Sequence, residues 1–122
     1  NRAMIQIEIT NNSKKEILIP DLLYWGILND PVADLILEIQ RQNDQNEFSS
    51  YEIPDNYHPS FEPMSLTKLP PDGIRRDTVD VSFFFSYNIP KGNYRVKVLY
   101  KISNHNKFEN DVPSNWAKFS IE

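Results

Sequence analysis

The segment that follows the Pro90-Lys91-Gly92 turn constrains the fold more than any other part of the chain. Its residues alternate between two kinds of side chain over positions 94–102. One face carries Tyr94, Val96, Val98 and Tyr100, and the other carries Arg95, Lys97 and Lys101. Because successive side chains of a β-strand point to opposite sides of the sheet, this pattern predicts a half-buried antiparallel strand.

Similar alternation elsewhere predicts an all-β domain with about seven antiparallel strands. They span positions 4–10, 16–20, 34–41, 65–69, 78–87, 94–102 and 115–122. Positions 22–28 are interpreted as either a bulged strand or a packed connection, and a further short strand is expected within 48–53. A short helix over 31–40 is the alternative for the third strand, with Pro31 at its first position.

The turns have their own signatures. The Asn11-Asn12-Ser13-Lys14 turn is expected to fold the second strand back along the first. In Pro70-Pro71-Asp72-Gly73, proline fixes φ and Gly73 is expected to supply the left-handed position. Positions 78–87 are predicted to be a core strand, with Val79, Val81, Phe83, Phe85 and Tyr87 on its buried face.

Length and charge bound the classes of protein. The 122 residues suit one domain, 1–122, with a real core. The 13 basic and 17 acidic side chains give a net charge of -4. Proteins that bind nucleic acid backbones carry an excess of Lys and Arg, so no nucleic-acid partner is expected. The basic residues are concentrated in the second half of the chain, which predicts two differently charged faces.

The chain has no cysteine, so disulfides and zinc–thiolate sites are excluded. No apolar run approaches the roughly 18 residues of a membrane-spanning helix, and no transmembrane segment is expected. The chain starts at Asn1 without Met, which suggests that a processed or trimmed segment preceded it and carried targeting information.

Three local patterns resemble known families. The first is a strand and Asn-Asn-Ser turn at positions 7–13, which runs on to a second strand at 17–20. The second is the turn at 69–73 before a long strand, and the third is the turn and strand at 90–96 together with the closing segment at 114–119. Together they resemble bacterial immunoglobulin-like or fibronectin-III-like domains of uncharacterised secreted proteins or lipoproteins of Bacteroidetes. They are more distantly similar to the sandwich of intracellular proteinase inhibitors of bacilli. Tyr94, two residues after Gly92, resembles the tyrosine corner of Greek-key sandwiches. The Cys–Trp–Cys set of antibody domains is absent.

This resemblance implies an immunoglobulin-like Greek-key β-sandwich. It also implies a non-enzymatic interaction or structural module that is secreted, periplasmic or on the cell surface, with a lipid anchor as one possibility. The expected partner is another protein or a cell-surface glycan, and no cofactor is expected. A proteinase inhibitor is an alternative, with positions 53–56 or 69–72 as the protruding loop.

Aromatic residues provide the candidate binding site. Exposed rings bind the faces of sugars in many sandwich modules, so a carbohydrate-binding platform is an alternative function. The competing interpretation is that these rings fill the core, since large rings usually do. The candidate residues are Tyr24, Trp25, Tyr51, Tyr57, His58 and Phe61. Trp116 is interpreted as structural and is expected beside the tyrosine corner.

Catalytic and metal chemistry has weaker signals. His58 and His105 are the only imidazoles, no nucleophile elbow accompanies them, and no catalytic residue is assigned. Positions 106–111 hold oxygen ligands for calcium, but no metal site is assigned. The basic residues Arg75, Arg76, Arg95, Lys97 and Lys101 are interpreted as a solvated face. Asn11-Asn12-Ser13 is formally a glycosylation sequon.

Overall fold

The computed structural model describes residues 3–27, 32–51, 65–85 and 88–122. This part of the chain consists of short β-strands, turns and two 3₁₀ helices, so the predicted all-β class is confirmed. The strands are β1 (Met4–Thr10), β2 (Ile17–Pro20), β3 (Trp25–Ile27), β4 (Leu35–Gln42), β5 (Phe48–Ser50), β6 (Leu66–Leu69), β7 (Ile74–Asp80), β8 (Gly92–Tyr100), β9 (Val112–Pro113) and β10 (Ala117–Ile121).

One layer is a six-stranded sheet in the order β10-β8-β4-β3, with β5 beside β4 and β9 beside β8. The central strands β4 and β8 are antiparallel and pair from Leu35–Tyr100 to Arg41–Tyr94. The predicted alternation along β8 is confirmed, because Tyr94, Val96, Val98 and Tyr100 are all buried. The strand at 34–41 is confirmed too, and the helical alternative is wrong.

Strand β3 departs from the expected antiparallel arrangement, because it runs parallel to β4 with Trp25 opposite Leu35. Parallel neighbours need a crossover rather than a tight turn. The parallel pairing begins just before β3, where Tyr24 O accepts hydrogen bonds from the amides of Asp34 (2.8 Å) and Leu35 (3.0 Å). Within the segment at 22–28, Trp25–Ile27 is a strand and the residues before it form a connection, while residue 28 lies outside the described residues.

The other layer contains two antiparallel ribbons, β1–β7 and β2–β6. The expected hairpin between the first two strands is wrong: β2 pairs with β6 rather than with β1. The Asn11 amide donates to Gly73 O (3.0 Å), and the Asp72 amide donates to Asn11 O (2.8 Å). These bonds join the two ribbons end to end, so that β1 and β2 continue along one antiparallel partner made of β7 and β6.

Asn11 is the polar residue at this junction, and only 3% of its surface is exposed. Its Nδ2 donates to the carbonyl oxygens of Lys15 (2.8 Å) and Leu69 (2.9 Å). Its Oδ1 accepts from the Ser13 amide (3.1 Å) and the Ser13 hydroxyl (2.7 Å). Every hydrogen-bonding group of the Asn11 side chain is thus engaged. The sequon asparagine is buried in the folded chain.

The turn at 70–73 is present, but its left-handed residue is Asp72, with φ of 64°, rather than Gly73. The Gly73 amide closes the turn on Pro70 O at 2.8 Å. A Cβ on Gly73 would lie 2.8 Å from the same oxygen and 2.9 Å from Leu69 Cδ1. Glycine is therefore required for close approach, whereas Asp tolerates the left-handed conformation.

Over 78–85 the predicted core strand at 78–87 is wrong, and residues 86 and 87 lie outside the described residues. The strand begins earlier, at Ile74, and ends at Asp80, after which Val81–Phe85 forms a 3₁₀ helix. The Asp80 carboxylate accepts hydrogen bonds from the Ser82 amide (3.0 Å) and from the Ser82 hydroxyl. This local side-chain bond competes with continued strand pairing. As a result Val81 and Phe84 face the core and Phe83 is 44% exposed.

The core lies between the six-stranded sheet and the ribbons. It combines buried residues of β2, β3, β4, β6, β8 and β10 with the 3₁₀ residues Val81 and Phe84. Ile5, Ile7 and Ile9 of β1 pack against it. The Tyr94 ring stacks on Phe119 at a centroid distance of 5.2 Å, and its hydroxyl donates to Pro90 O at 2.7 Å. This last contact has the pattern expected for a tyrosine corner.

The closing strand contains a β-bulge. Leu99 pairs with Pro113 and Val96 pairs with Ala117. The three residues at 114–116 therefore lie opposite only two residues of β8, those at 97 and 98. Ser114 occupies the bulge: its amide donates to Val98 O (2.7 Å), and its Oγ accepts from the Val98 amide (2.9 Å). The extra residue turns Trp116 to the outer side of the sheet, while Phe119 faces the core side.

Candidate functional site: a face of cations and aromatic rings

Three of the six candidate binding residues, Tyr24, Trp25 and Tyr51, lie in the described part of the chain. Trp25 belongs to the core and is only 7% exposed, so it cannot stack on a sugar from solvent. Its indole N–H donates to Asp77 Oδ2 at 2.9 Å, which links the two layers. Tyr51 is half-buried and meets Tyr94 edge to face, with centroids 5.8 Å apart. Tyr24 is half-buried beside Trp25 in sequence. The remaining candidates, Tyr57, His58 and Phe61, lie outside the described residues.

His105 contacts a buried acid. Asp34 is fully buried, its Oδ2 accepts from the Tyr24 amide (3.0 Å), and its Oδ1 lies 3.3 Å from His105 Nε2. The Asp34 backbone is bonded as well, because Lys101 donates its amide to Asp34 O at 2.8 Å. Asp34 therefore ties together the residue before β3, the end of β8 and the segment after β8. These contacts hold three segments of the fold together.

The acidic side chains at 106–111 already have cationic partners. Glu109 lies 3.0 Å from Lys15 Nζ, and Asp111 lies 3.4 Å from Lys101 Nζ. Burial opposes ionisation of Asp111, but hydrogen bonds from Ser103 and the nearby Lys101 outweigh it and lower its pKa. Within the described ranges, no group of three or more His, Cys, Asp or Glu side chains is placed to hold a metal ion.

The basic residues do not form one stripe. Arg75 and Arg76 lie on β7, in the ribbon layer: Arg75 donates to Pro20 O (3.1 Å) and Arg76 pairs with Glu8 (3.1 Å). Arg95 and Lys97 lie on β8, in the opposite layer. The predicted solvated face is thus divided between two surfaces, and within the described ranges only the one on β8 has cations against aromatic rings.

The outer side of the six-stranded sheet carries five side chains that form what we call the cation–aromatic face: Phe48, Arg95, Lys97, Trp116 and Lys118. Arg95 Cζ lies 4.5 Å from the centroid of the Phe48 ring and 4.3 Å from that of Trp116. Lys97 Nζ lies 4.8 Å from the Trp116 ring, and Lys118 Nζ lies 5.9 Å from the Phe48 ring. These distances are within the range of cation–π attraction.

Strand pairing creates this face. Lys118 of β10 is directly opposite Arg95 of β8, and Arg95 is directly opposite Gln40 of β4. The Arg95 Nε–H donates to Gln40 Oε1 at 2.7 Å. Phe48 reaches the face from β5, which pairs with the end of β4. The five side chains therefore come from β5, β8 and β10 and from Trp116 just before β10, with β4 lying between β5 and β8.

The face is electropositive although the chain is acidic. The face has three basic side chains, and one acidic side chain, Glu38, pairs with Lys97 at 3.4 Å. Together these four side chains carry a charge of +2. The whole chain carries -4. Sequence reasoning identified the outward cations of β8 but not their rings. Phe48 and Trp116 lie far from Arg95 in sequence, and only the register of β5 and β10 brings them together.

A cleft of about 550 Å³ opens between β1 and β9, with Val98, Tyr100 and Ile102 in its lining. The Tyr100 hydroxyl is buried and has no hydrogen-bond partner among the described residues. Burial, with a further contribution from the Asp34 carboxylate, raises the pKa of Tyr100 from 10.0 to about 12. An unpaired phenol thus lies beneath the cleft.

This phenol predicts a loss of stability at alkaline pH. Above pH 10 the unfolded chain releases the Tyr100 proton while the folded chain keeps it, so stability present below pH 10 declines as pH rises towards 12. We expect Tyr100 to contribute roughly 2 kcal/mol to this loss. Urea denaturation between pH 9 and pH 12 measures it. Tyr100→Phe should remove that share and be neutral or slightly stabilising at pH 7, since it deletes an unpaired buried hydroxyl.

Tyr94→Phe is the matched control, since Tyr94 has a hydroxyl that is hydrogen-bonded to Pro90. It should cost about 1 kcal/mol at pH 7. Equal stabilities of the two variants at pH 7 would contradict the assignment of Tyr100 as the unpaired phenol.

In the described part of the chain, no helix has the length and apolar character needed to cross a membrane. Comparisons of the chain with protein-family models, curated proteins and solved structures found no match.

Proposed function

We propose that this chain is a non-enzymatic interaction module, an immunoglobulin-like Greek-key β-sandwich of a secreted or surface-anchored bacterial protein. It binds an anionic macromolecule through the cation–aromatic face. The observation that carries the proposal is the placement of Arg95, Lys97 and Lys118 among two rings on the outside of the sheet. Support for the sandwich topology comes from the β10-β8-β4 order and the Tyr94–Pro90 hydrogen bond.

The face is suited to binding because its side chains contact one another and are partly exposed. Lys118 is exposed, and Lys97, Arg95 and both rings are half-buried. Aromatic residues and arginine are enriched at protein interfaces, and aromatic rings supply contact area at a small cost in conformational entropy. A local positive potential on an acidic chain also orients an anionic partner towards this face.

A polyanion tests the proposal, because a chain with a net charge of -4 is repelled by one unless a local surface attracts it. We expect fluorescently labelled poly-glutamate to bind at low salt, as measured by anisotropy, and to dissociate as salt is added. The double variant Lys97→Gln/Lys118→Gln should weaken binding at least about tenfold, equivalent to ~1.4 kcal/mol.

The control is Lys14→Gln/Lys68→Gln, which removes the same charge from two exposed lysines outside the face. It should change binding by no more than about twofold. Equal weakening by the two double variants would show that net charge, rather than the face, governs the interaction. Absence of binding by the unaltered chain would overturn the proposed function.

A further inference from the structure

The geometry of Arg95 points to one kind of partner. We propose that the cation–aromatic face binds an extended protein segment whose carboxylates alternate along the chain, with one carboxylate held by the Arg95 guanidinium. This inference rests on the proposed function and names the chemistry of its partner. It follows from the free donors of Arg95, from the spacing of the cations along β8 and from the occupation of the ring faces.

Arg95 is fixed in place but incompletely bonded. Its guanidinium lies between the rings of Phe48 and Trp116, and its Nε–H is used by Gln40. Its terminal amino groups reach solvent and have no hydrogen-bond partner among the described residues. A guanidinium presents its N–H groups in a planar fork that matches the two oxygens of a carboxylate. Because the rings already hold the fork, little side-chain freedom is lost when an anion binds.

The spacing favours an extended peptide. Arg95 and Lys97 are two residues apart on one face of β8, which places them about 6.8 Å apart along the strand. Carboxylates at every second position of an extended segment repeat at about the same distance. Lys118, directly opposite Arg95, adds a second charge at the first position. Lys97 can bind the second carboxylate, because its ammonium has three N–H donors and Glu38 pairs with only one of them.

The rings favour an anion over a neutral sugar. A sugar stacks on an open ring face, but the Trp116 ring lies within 4.3 Å of the Arg95 guanidinium and 4.8 Å of the Lys97 ammonium. The Phe48 ring contacts Arg95 at 4.5 Å. The rings therefore orient cations, and stacking a sugar on them would displace these contacts.

Synthetic peptides of about eight residues test the inference by titration calorimetry. The first has alternating Glu and Thr, the second has the same composition with its Glu residues in one block, and the third has Gln in place of Glu. We expect the alternating peptide to bind about tenfold more tightly than the block peptide, and the Gln peptide not to bind. Arg95→Lys keeps the charge but removes the fork, so it should weaken the alternating peptide about tenfold. Lys68→Gln, outside the face, should leave its affinity unchanged.

The outcomes separate the inference from the proposed function. Equal binding of the alternating and block peptides, with both still weakened by Lys97→Gln/Lys118→Gln, would overturn the inference and keep the anion-binding face. Preferential binding of polygalacturonate or of a single-stranded oligonucleotide at the same face would also overturn it and identify a glycan or a nucleic acid as the partner. Failure of every anion to bind would overturn both. A circular dichroism spectrum of each variant confirms that the fold is intact.

Discussion

Replacing Asn11 with Asp should lower the free energy of unfolding by about 3 kcal/mol at pH 7. The amide group of Asn11 donates to two carbonyl oxygens, those of Lys15 and Leu69. A carboxylate has no proton to donate, so three acceptors would face one another in a buried site. Urea denaturation followed by circular dichroism measures the change, and the effect should appear as a lower midpoint with an unchanged slope.

The neighbouring residue supplies the control. Asn12 is exposed, and Asn12→Asp makes the same change of charge one residue away. It should alter stability by less than about 0.5 kcal/mol. If the two substitutions cost the same, the Asn11 side chain does not join the ribbons, and the continuity of β1 with β2 must depend on the backbone bonds alone.

Asp34→Ala should also destabilise the chain by about 3 kcal/mol or more, because it removes an acid that bonds two other segments of the fold. The Tyr24 amide would lose its acceptor, and His105 would lose the contact at 3.3 Å. A small cavity would remain where the carboxylate was fully enclosed. Thermal and urea unfolding provide two independent measurements of this loss.

Two further variants make the result specific to the buried acid. Asp34→Asn retains an oxygen for the Tyr24 amide, so its loss should be smaller than that of Asp34→Ala. Asp44→Ala, in the exposed turn between β4 and β5, removes the same charge without removing a buried contact and should cost little. A loss below about 1 kcal/mol for Asp34→Ala would contradict the role of Asp34 in joining the three segments.

The sequence predicted the strands in which one side is buried and the other is solvated. Period-two alternation identified β1, β4 and β8 with bounds close to those of the structure, because burial on one face leaves a direct record in the residue order. The hydroxyl contact of Tyr94 is also local, because it joins residues only four positions apart.

Other features depend on choices that residue order does not record. The strand at 78–87 was wrong because the hydrogen bonds of Asp80 to Ser82 end β7 and start a 3₁₀ helix. The β1–β2 hairpin was wrong because an Asn-rich turn is also compatible with a chain that continues along the same partner. The parallel pairing of β3 with β4 has no short-range signature.

The two tryptophans show the limit most clearly for the candidate site. Trp25 was a candidate binding ring, with burial in the core as the competing interpretation, and Trp116 was interpreted as structural and beside Tyr94. In the structure Trp25 is buried in the core, and Trp116 is half-buried on the outer side of the sheet, away from Tyr94. Trp116 is on the outer side because the bulge at Ser114 shifts the pairing of β10, and Trp25 is buried because β3 lies beside β4. Both reasons concern pairing between strands, so local pattern could not distinguish the two residues.

The bulge in the closing strand also determines where this chain can change length. It contains the one extra residue that separates the pairing of β9 from that of β10. If one residue is lost at 114–116, β9 and β10 both keep their partners on β8. If one residue is lost within Ala117–Ile121, the part of β10 on one side of the deletion shifts by one position, and its side chains turn to the opposite surface of the sheet. Natural variants with gaps should therefore tolerate them at the bulge. A gap at the start of β10 would exchange Lys118 and Phe119 between the cation–aromatic face and the core side.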